Sequence, residues 1–238
     1  MTSLTSAAMT TSPASFASHE LVERVRENLG VIHERITSSG RDVSSVRVVA
    51  VTKTFAADAV RAANEVGLRF VGENYVDEMR EKRAATPDVS MTWHYLGALQ
   101  SNKIAQAVQS ADLLCGVSRE KEIERISRLR PGMPVYVQVD YTEAEGRNGA
   151  NPRDVANLVQ RARALNVDVR GLMTVPAPAI DASRKAFTSL VALADDLGLA
   201  ERSMGMSEDL ELACELGSTE IRIGRALFGP RMATSPLA

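Results

Sequence analysis

A lysine at the end of a short apolar run is the residue of this sequence best placed for covalent chemistry. Lys53 ends the run VVAVTK at residues 48–53, which predicts a strand at residues 46–52 that is buried on most of its surface, as in a parallel sheet. A helical pattern at residues 56–66 follows, and α/β proteins place their chemistry at such junctions. Burial favours the neutral form of a lysine, and a neutral amine condenses with an aldehyde to give a Schiff base. The alternative is a strand-end lysine whose amine extends into solvent.

Groups suited to holding a phosphate lie near the C-terminus. The sequence SMGMS joins a strand to a helix between Ser203 and Ser207, and its hydroxyls and free amides are of the kind that accept phosphate, although Ser207 could instead cap the helix. The sequence RIGR supplies Arg222 as a permanent cation, and Gly224 lets the backbone approach a ligand closely. Barrels commonly bind phosphate after strands seven and eight, next to strand one. This arrangement suits a phosphorylated aldehyde.

Two further polar segments follow the second strand or lie within the third. In the sequence GENY at residues 72–75, the Asn74 amide and the Tyr75 hydroxyl are expected on the same face as the reactive lysine. The alternative is structural, with Asn74 as a helix N-cap and Glu73 as a first-turn carboxylate. His94 alternates with apolar neighbours in the third strand, where it is either a ligand-facing or a structural residue.

Strand and helix patterns alternate along the chain after an amphipathic helix at residues 19–38. The strand patterns lie at residues 46–52, 68–71, 92–96, 113–117, 134–139, 169–173, 201–204 and 220–223. The later helical patterns lie at residues 56–66, 73–84, 102–110, 119–129, 152–164, 182–197 and 207–216. Repeated strand-then-helix order predicts parallel strands with right-handed crossovers, and eight units predict a single (β/α)₈ TIM barrel. An open doubly wound sheet is the alternative.

Composition narrows the classes of function. The 238 residues include 28 basic and 30 acidic side chains, so overall charge gives no reason to expect nucleic acid or a membrane surface as a partner. Cys115 and Cys214 lie far apart, which favours neither a zinc site nor a disulfide and suits the reducing cytoplasm. No apolar stretch reaches the roughly 18 residues that span a bilayer, so a soluble protein is expected. Residues 1–18 and 232–238 are expected to be a disordered leader and tail that flank a barrel at residues 19–231.

Several separated motifs occur in one order along the chain and are together more specific than any one of them. They are AVTK at residues 50–53, GENY at 72–75, WHYLG at 93–97, LQSNK at 99–103, GLM at 171–173 and SMGMS at 203–207. Through these motifs the chain resembles the YggS/PROSC family of pyridoxal phosphate homeostasis proteins. The likeness covers nearly the whole length, from the first helix to about residue 231.

The resemblance implies a fold and a cofactor. The implied fold is a single alanine-racemase-like barrel of fold type III that carries pyridoxal 5′-phosphate (PLP). The implied cofactor-binding residues are Lys53 as the Schiff-base lysine, Asn74 and His94 around the ring, Arg222 near the pyridine nitrogen, and Ser203, Ser207, Gly224 and Arg225 around the phosphate. A guanidinium stays protonated, so the neighbouring ring nitrogen is expected to stay unprotonated and the cofactor to be a weak electron sink.

Two departures from related proteins bear on function. Where relatives usually read His-Ser-Val-Asp after the fourth strand, this sequence reads CGVS at residues 115–118, and Cys115 is interpreted as a small buried hydrophobe. Related racemases add a β-rich domain with a catalytic tyrosine, for which this sequence leaves no room after the eighth strand. The expected protein is therefore a monomeric, non-catalytic carrier that exchanges PLP with free pools or client apoenzymes in PLP and amino-acid homeostasis.

Two enzymatic hypotheses stay open at this stage. The first is a PLP-dependent amino-acid racemase or related catalyst. The second is a phosphate-binding barrel that uses Lys53 as an aldolase-type amine without a cofactor.

Overall fold

Parallel strands form the centre of the computed structural model, which describes residues 17–142, 144 and 146–230. Neighbouring strands follow chain order, and β1 pairs with both β2 and β8, which closes the sheet. The strands in these residues are β1 (Arg47–Val51), β2 (Phe70–Glu73), β3 (Thr92–Tyr95), β4 (Leu113–Val117), β5 (Pro134–Val139), β6 (Asp168–Thr174), β7 (Glu201–Ser203) and β8 (Glu220–Ile223). The closed barrel confirms the predicted (β/α)₈ fold and excludes the open doubly wound sheet.

Helices follow the strands and cover the outside of the barrel. In the described residues they are α1 (His19–Ser38), α2 (Asp58–Glu65), α3 (Val76–Ala85), α4 (Ile104–Ser110), α5 (Glu120–Leu129), α6 (Val155–Ala164), α7 (Ile180–Asp196), α8 (Leu210–Glu215) and α9 (Arg225–Phe228). Short 3₁₀ turns occupy Val43–Ser45 and Pro152–Asp154. Across the described part of the chain, no helix is both long enough and apolar enough to cross a membrane.

Helix α1 precedes the barrel and packs on α2, α8 and α9. Its first turn is capped by the Ser18 hydroxyl, which accepts a hydrogen bond from the Leu21 N–H. Five apolar side chains at helical spacing are buried beneath it: Val22, Val25, Leu29, Ile32 and Ile36. Helix α1 therefore covers the outer side of the barrel where the first and last strands meet.

The interior of the barrel combines a small apolar layer with buried polar groups. Leu113, Cys115, Tyr136 and Met173 form the apolar layer. Cys115 is fully buried, and burial raises its pKa well above the ordinary value, so the interpretation of Cys115 as a small buried hydrophobe is confirmed.

Several predicted boundaries shift in the structure. The second strand was expected at residues 68–71, but pairing starts at Phe70 and extends to Glu73, so the expectation that Glu73 lies in the first turn of the next helix is wrong. Helix α8 begins at Leu210 and has no side-chain cap, so the alternative prediction that Ser207 caps this helix is also wrong. Helix α9 was not predicted. Of the expected leader and tail, residues 1–16 and 232–238 lie outside the described part.

Candidate functional site

A cavity of about 620 Å³ opens at the carboxyl ends of the strands. This volume is typical of small-molecule sites in proteins. Six of the eight predicted site residues line it: Lys53, Asn74, Ser207, Arg222, Gly224 and Arg225. Parallel strands bring these residues together because all their carboxyl ends meet at one rim of the barrel.

Lys53 reaches the cavity because side chains alternate along β1 and its extension. Val51 and Lys53 both line the cavity, whereas Thr52 between them faces away and is fully buried. The Thr52 hydroxyl donates a hydrogen bond of 2.5 Å to the Glu73 carboxylate at the end of β2. Lys53 is half-buried and lines the cavity, and whether its amine reacts or only extends into solvent stays a prediction.

Asn74 lines the cavity one residue after β2. The N-cap position of α3 is occupied by Tyr75, and no side chain caps this helix. The alternative prediction that Asn74 is the N-cap of this helix is therefore wrong, and the Asn74 amide is available to the cavity. Tyr75 is exposed and does not line it.

Arg222 is a buried cation that is held in the cavity wall by two hydrogen bonds. Its Nη1 donates to the Ser203 hydroxyl at 2.8 Å, and its Nη2 donates to the Thr174 carbonyl at 2.8 Å. Burial lowers the pKa of Arg222, and the Glu220 carboxylate opposes this effect. An arginine stays charged under these conditions, so the guanidinium is a fixed positive group.

Ser203 and His94, the other two predicted site residues, lie in the barrel interior and do not line the cavity. The Ser203 hydroxyl donates to Glu220 Oε1 at 2.7 Å, and His94 Nδ1 lies 3.6 Å from Glu220 Oε2. Burial acts to raise the pKa of Glu220, but His94, Ser203 and Arg47 outweigh burial and hold this pKa below its ordinary value. In this structure Ser203 acts on the cavity through Arg222.

The loop after β7 contributes residues 206–209 to the cavity lining. Gly205 begins this loop with a φ of 98°, in the region that favours glycine. The Asp209 carboxylate accepts from the Met206 N–H at 2.7 Å, and the Ser207 carbonyl accepts from Arg35 Nη1 at 3.0 Å. These two bonds hold the backbone at Met206 and Ser207, and Ser207 lines the cavity.

The turn after β8 brings backbone close to β1. A Cβ atom at Gly224 would lie 3.3 Å from the Val51 carbonyl oxygen, which is a tight contact. Arg225 follows, and its exposed side chain pairs with Glu208 at 3.0 Å. Exposed pairs of this kind contribute little to stability, so the Arg225 guanidinium can be drawn toward an anion in the cavity at small cost.

Sequence reasoning missed Arg147, which reaches the cavity from the loop between β5 and α6. It also missed the apolar part of the wall, which includes Met173 and the exposed side chain of Ile180. Residues before Arg147 follow neither a helical nor a strand period, so no pattern in the sequence indicates where this loop lies.

The chain matches the family described as alanine racemase, N-terminal domain, over residues 22–232. Pyridoxal phosphate homeostasis protein of Pseudomonas aeruginosa is 39% identical over 225 residues, which cover 91% of this chain and 98% of that protein.

Solved structures agree with this match. PipY of Synechococcus elongatus is 32% identical and has been solved without PLP (TM-score 0.79) and with PLP bound (TM-score 0.76); the match covers 86% of this chain and all of PipY. An alanine racemase of Clostridium difficile 630, only 15% identical, shares the fold with a TM-score of 0.69, and the match covers 86% of this chain and 56% of the racemase. The chain therefore belongs to the pyridoxal phosphate homeostasis protein family, which is built on the alanine racemase N-terminal domain.

Proposed function

We propose that this protein binds PLP in the cavity as a Schiff base on Lys53 and takes part in intracellular PLP and amino-acid homeostasis. The observation that carries the proposal is the position of Lys53. Among the described residues it is the only lysine that lines the cavity. The part of the cavity wall that follows β7 and β8 carries polar backbone and arginine side chains, which suit a phosphate group.

The residues present fit this cofactor. Bound PLP supplies an aldehyde that an amine can capture and a ring that withdraws electrons. Ser207, Gly224 and Arg225 would hold the phosphate through a hydroxyl, a closely approaching backbone and a guanidinium. Asn74 would contact the ring. His94 and Ser203 would act from beneath the cavity rather than by direct contact.

Arg222 favours a carrier over an enzyme. We assign its guanidinium to the side of the pyridine nitrogen, where two hydrogen bonds from beneath restrict its movement. A cation that cannot give up its proton leaves the ring nitrogen unprotonated and weakens electron withdrawal from the substrate. Weaker withdrawal makes removal of a proton from a bound amino acid harder, which supports reversible storage of the cofactor.

The wider roles follow from reversible binding. A Schiff base that forms and hydrolyses without further chemistry suits exchange with free pools or with PLP-dependent apoenzymes, and we propose that a monomer carries this out. Cys115 and Cys214 are both buried free thiols, which supports a reducing, cytoplasmic setting.

The test is a visible spectrum of the purified full chain after addition of PLP, before and after borohydride reduction, followed by peptide mass mapping. We expect a reducible chromophore that maps to Lys53 and is absent from Lys53→Ala. Lys103→Ala removes a half-buried lysine outside the cavity and serves as the matched control. A chain that takes up no PLP, or one that is labelled equally at several lysines, would contradict the proposal.

Deuterium exchange separates a carrier from an enzyme. A small amino acid is incubated with the PLP-loaded protein in deuterated buffer, and exchange at its α-carbon is followed. We expect no exchange above that given by free PLP. Sustained exchange at a catalytic rate would favour the racemase hypothesis.

A further inference from the structure

The backbone on either side of Lys53 is held by a largely buried cluster of charged side chains that lies outside the cavity. The cluster consists of Glu73 at the end of β2 and of Glu78 and Lys82 on α3. Glu73 is fully buried and Lys82 is 6% exposed. None of the three residues lines the cavity, so the cluster has no direct contact with a cofactor bound there.

The Lys82 ammonium donates three hydrogen bonds, which use all of its protons. The acceptors are the Thr52 carbonyl at 2.7 Å, Glu73 Oε1 at 2.6 Å and Glu78 Oε2 at 3.0 Å. The same oxygen of Glu78 accepts from the Thr54 N–H at 2.8 Å. The cluster therefore contacts the residue before Lys53 and the residue after it.

Lys53 lies inside a tight turn that has an unfavourable residue at its third position. The Phe55 N–H donates to the Thr52 carbonyl at 3.0 Å, so Lys53 and Thr54 are the two central residues of a four-residue turn. Thr54 has a φ of 66°. A left-handed conformation is strained for a β-branched side chain, and glycine or asparagine is the usual residue at such a position.

A strained turn persists only when its surroundings fix it. Here Lys82 fixes the carbonyl at the start of the turn, and Glu78 fixes the N–H of Thr54. Glu73 completes the arrangement because it accepts from both Lys82 and the Thr52 hydroxyl. Each of the three side chains thus has a partner in this turn or in another member of the cluster, although Glu73 Oε2 has no hydrogen-bond partner among the described residues.

We propose that Glu73, Glu78 and Lys82 are positioning residues that hold the strained turn at residues 52–55 and so direct the Lys53 amine into the cavity. The proposal rests on the proposed function in one respect, namely that the directed amine reacts with an aldehyde cofactor. It also predicts that Lys82, itself a buried amine close to Lys53 in the fold, does not compete as a nucleophile, because three acceptors saturate its ammonium.

The principal test variant is Glu73→Gln combined with Lys82→Met in the full chain. Replacing both partners avoids leaving an unpaired buried carboxylate, which would destabilise the protein for a different reason. Lys103→Met is the matched control. Lys103 pairs with the exposed Asp77, which lies on α3 as Glu78 and Lys82 do, but Lys103 does not contact the turn.

The first measurement is the rate at which PLP modifies Lys53, trapped with borohydride and mapped by peptide mass. We expect the double variant to react roughly tenfold more slowly than the wild type, because loss of orientation of a reacting group has effects of at least this size. We expect Lys103→Met to react at the wild-type rate. A double variant that is folded by circular dichroism and also reacts at the wild-type rate would overturn the proposal.

A rescue variant separates positioning from general support of the fold. Adding Thr54→Gly to the double variant supplies a residue that adopts positive φ without strain. We expect it to recover most of the lost rate, because the turn no longer needs to be held. If the rate stays low, the cluster supports the fold in some other way and the proposal is wrong.

Amide hydrogen exchange tests the turn without any cofactor. We expect the Thr54 N–H to be protected in the wild type and in Lys103→Met. In the double variant it should lose at least tenfold in protection, because the loss of Lys82 frees both the Thr52 carbonyl and the Glu78 carboxylate that accepts from this N–H. Unchanged protection would count against the proposal. If the wild type forms no adduct with PLP while protection behaves as expected, the proposed function fails and the positioning of Lys53 by the cluster stands.

Discussion

Arg222 Nη1 lies 2.8 Å from the Ser203 hydroxyl, and that hydroxyl lies 2.7 Å from Glu220 Oε1. Ser203 accepts a hydrogen bond from the cation and donates one to the carboxylate, so a single hydroxyl joins the cavity wall to the interior of the barrel. Both Ser203 and Glu220 are fully buried, and water cannot readily replace the hydroxyl. The orientation of Arg222 therefore depends on a residue that the cavity itself does not contact.

Replacing this hydroxyl should affect both stability and cofactor binding. We expect Ser203→Ala to lower the free energy of unfolding by about 1–3 kcal/mol, because two buried charged groups each lose a hydrogen bond. We also expect the affinity for PLP to fall roughly tenfold as Arg222 becomes less well fixed. Urea unfolding and absorbance titration measure the two effects. Ser189→Ala, on the exposed side of α7, is the control, and equal affinity in the two variants would contradict the link to Arg222.

The Glu220 carboxylate gives stability a definite pH dependence. Although burial acts to raise the pKa of Glu220, His94, Ser203 and Arg47 hold that pKa below its ordinary value of 4.5. A carboxyl with a depressed pKa in the folded state stabilises the fold above the unfolded pKa, and this stabilisation is lost as the pH falls through the folded pKa. We therefore expect the contribution of Glu220 to be complete at neutral pH and to decline below about pH 4.5.

Comparison with Glu220→Gln isolates this contribution. Urea unfolding at a series of pH values should show the wild type losing more stability than the variant on acidification, while the variant is the less stable of the two at neutral pH. Glu208→Gln changes an exposed carboxylate and should follow the wild-type curve. Parallel curves for wild type and Glu220→Gln would show that this carboxyl does not have a depressed pKa.

The barrel and most of its rim were predictable because they depend on local patterns. The run before Lys53 has the uninterrupted apolar character of a strand buried on both sides, and glycines mark several junctions. Lys53, Arg222 and Gly224 could be assigned to one rim since parallel strands all end on the same side. These inferences need only the order of strands and helices along the chain.

The positions of His94 and Lys82 could not be predicted in the same way. Whether a strand side chain reaches the rim or stays beneath it depends on the stagger between neighbouring strands, and His94 lies opposite Leu113 at a level below the cavity. Lys82 is spaced four residues from Glu78, a pattern that usually indicates an exposed pair on a helix. Its burial results from the packing of α3 over the turn that contains Thr52, which no local pattern encodes.

Both thiols should be unreactive in the folded protein. Cys115 and Cys214 have no exposed surface, and burial raises the pKa of each thiol above its ordinary value. Since the thiolate is the reactive form, alkylation requires the structure to open first. We expect iodoacetamide to label the native protein roughly a hundredfold more slowly than the protein in denaturant. Rapid labelling of either cysteine under native conditions would show that the surrounding core opens readily.

Gly97 offers a test of how closely the loops at the cavity rim are packed. A Cβ atom at this position would overlap the Asn74 carbonyl oxygen and lie 2.8 Å from the Tyr95 hydroxyl. Because the carbonyl belongs to backbone that cannot move independently, Gly97→Ala should displace Asn74 from the cavity wall. We expect it to cost about 1–3 kcal/mol of stability and to weaken PLP binding by roughly tenfold.

Gly30→Ala is the matched control for this substitution. Gly30 lies within α1 with open space around its Cβ position, so alanine should raise stability by about 0.5–1 kcal/mol through helix propensity. It should leave PLP binding unchanged, since α1 contributes no residue to the cavity lining. Thermal unfolding and absorbance titration of both variants decide the matter. If Gly97→Ala binds PLP as the wild type does, the rim can adjust to an added methyl group and Asn74 is not fixed by close packing against Gly97.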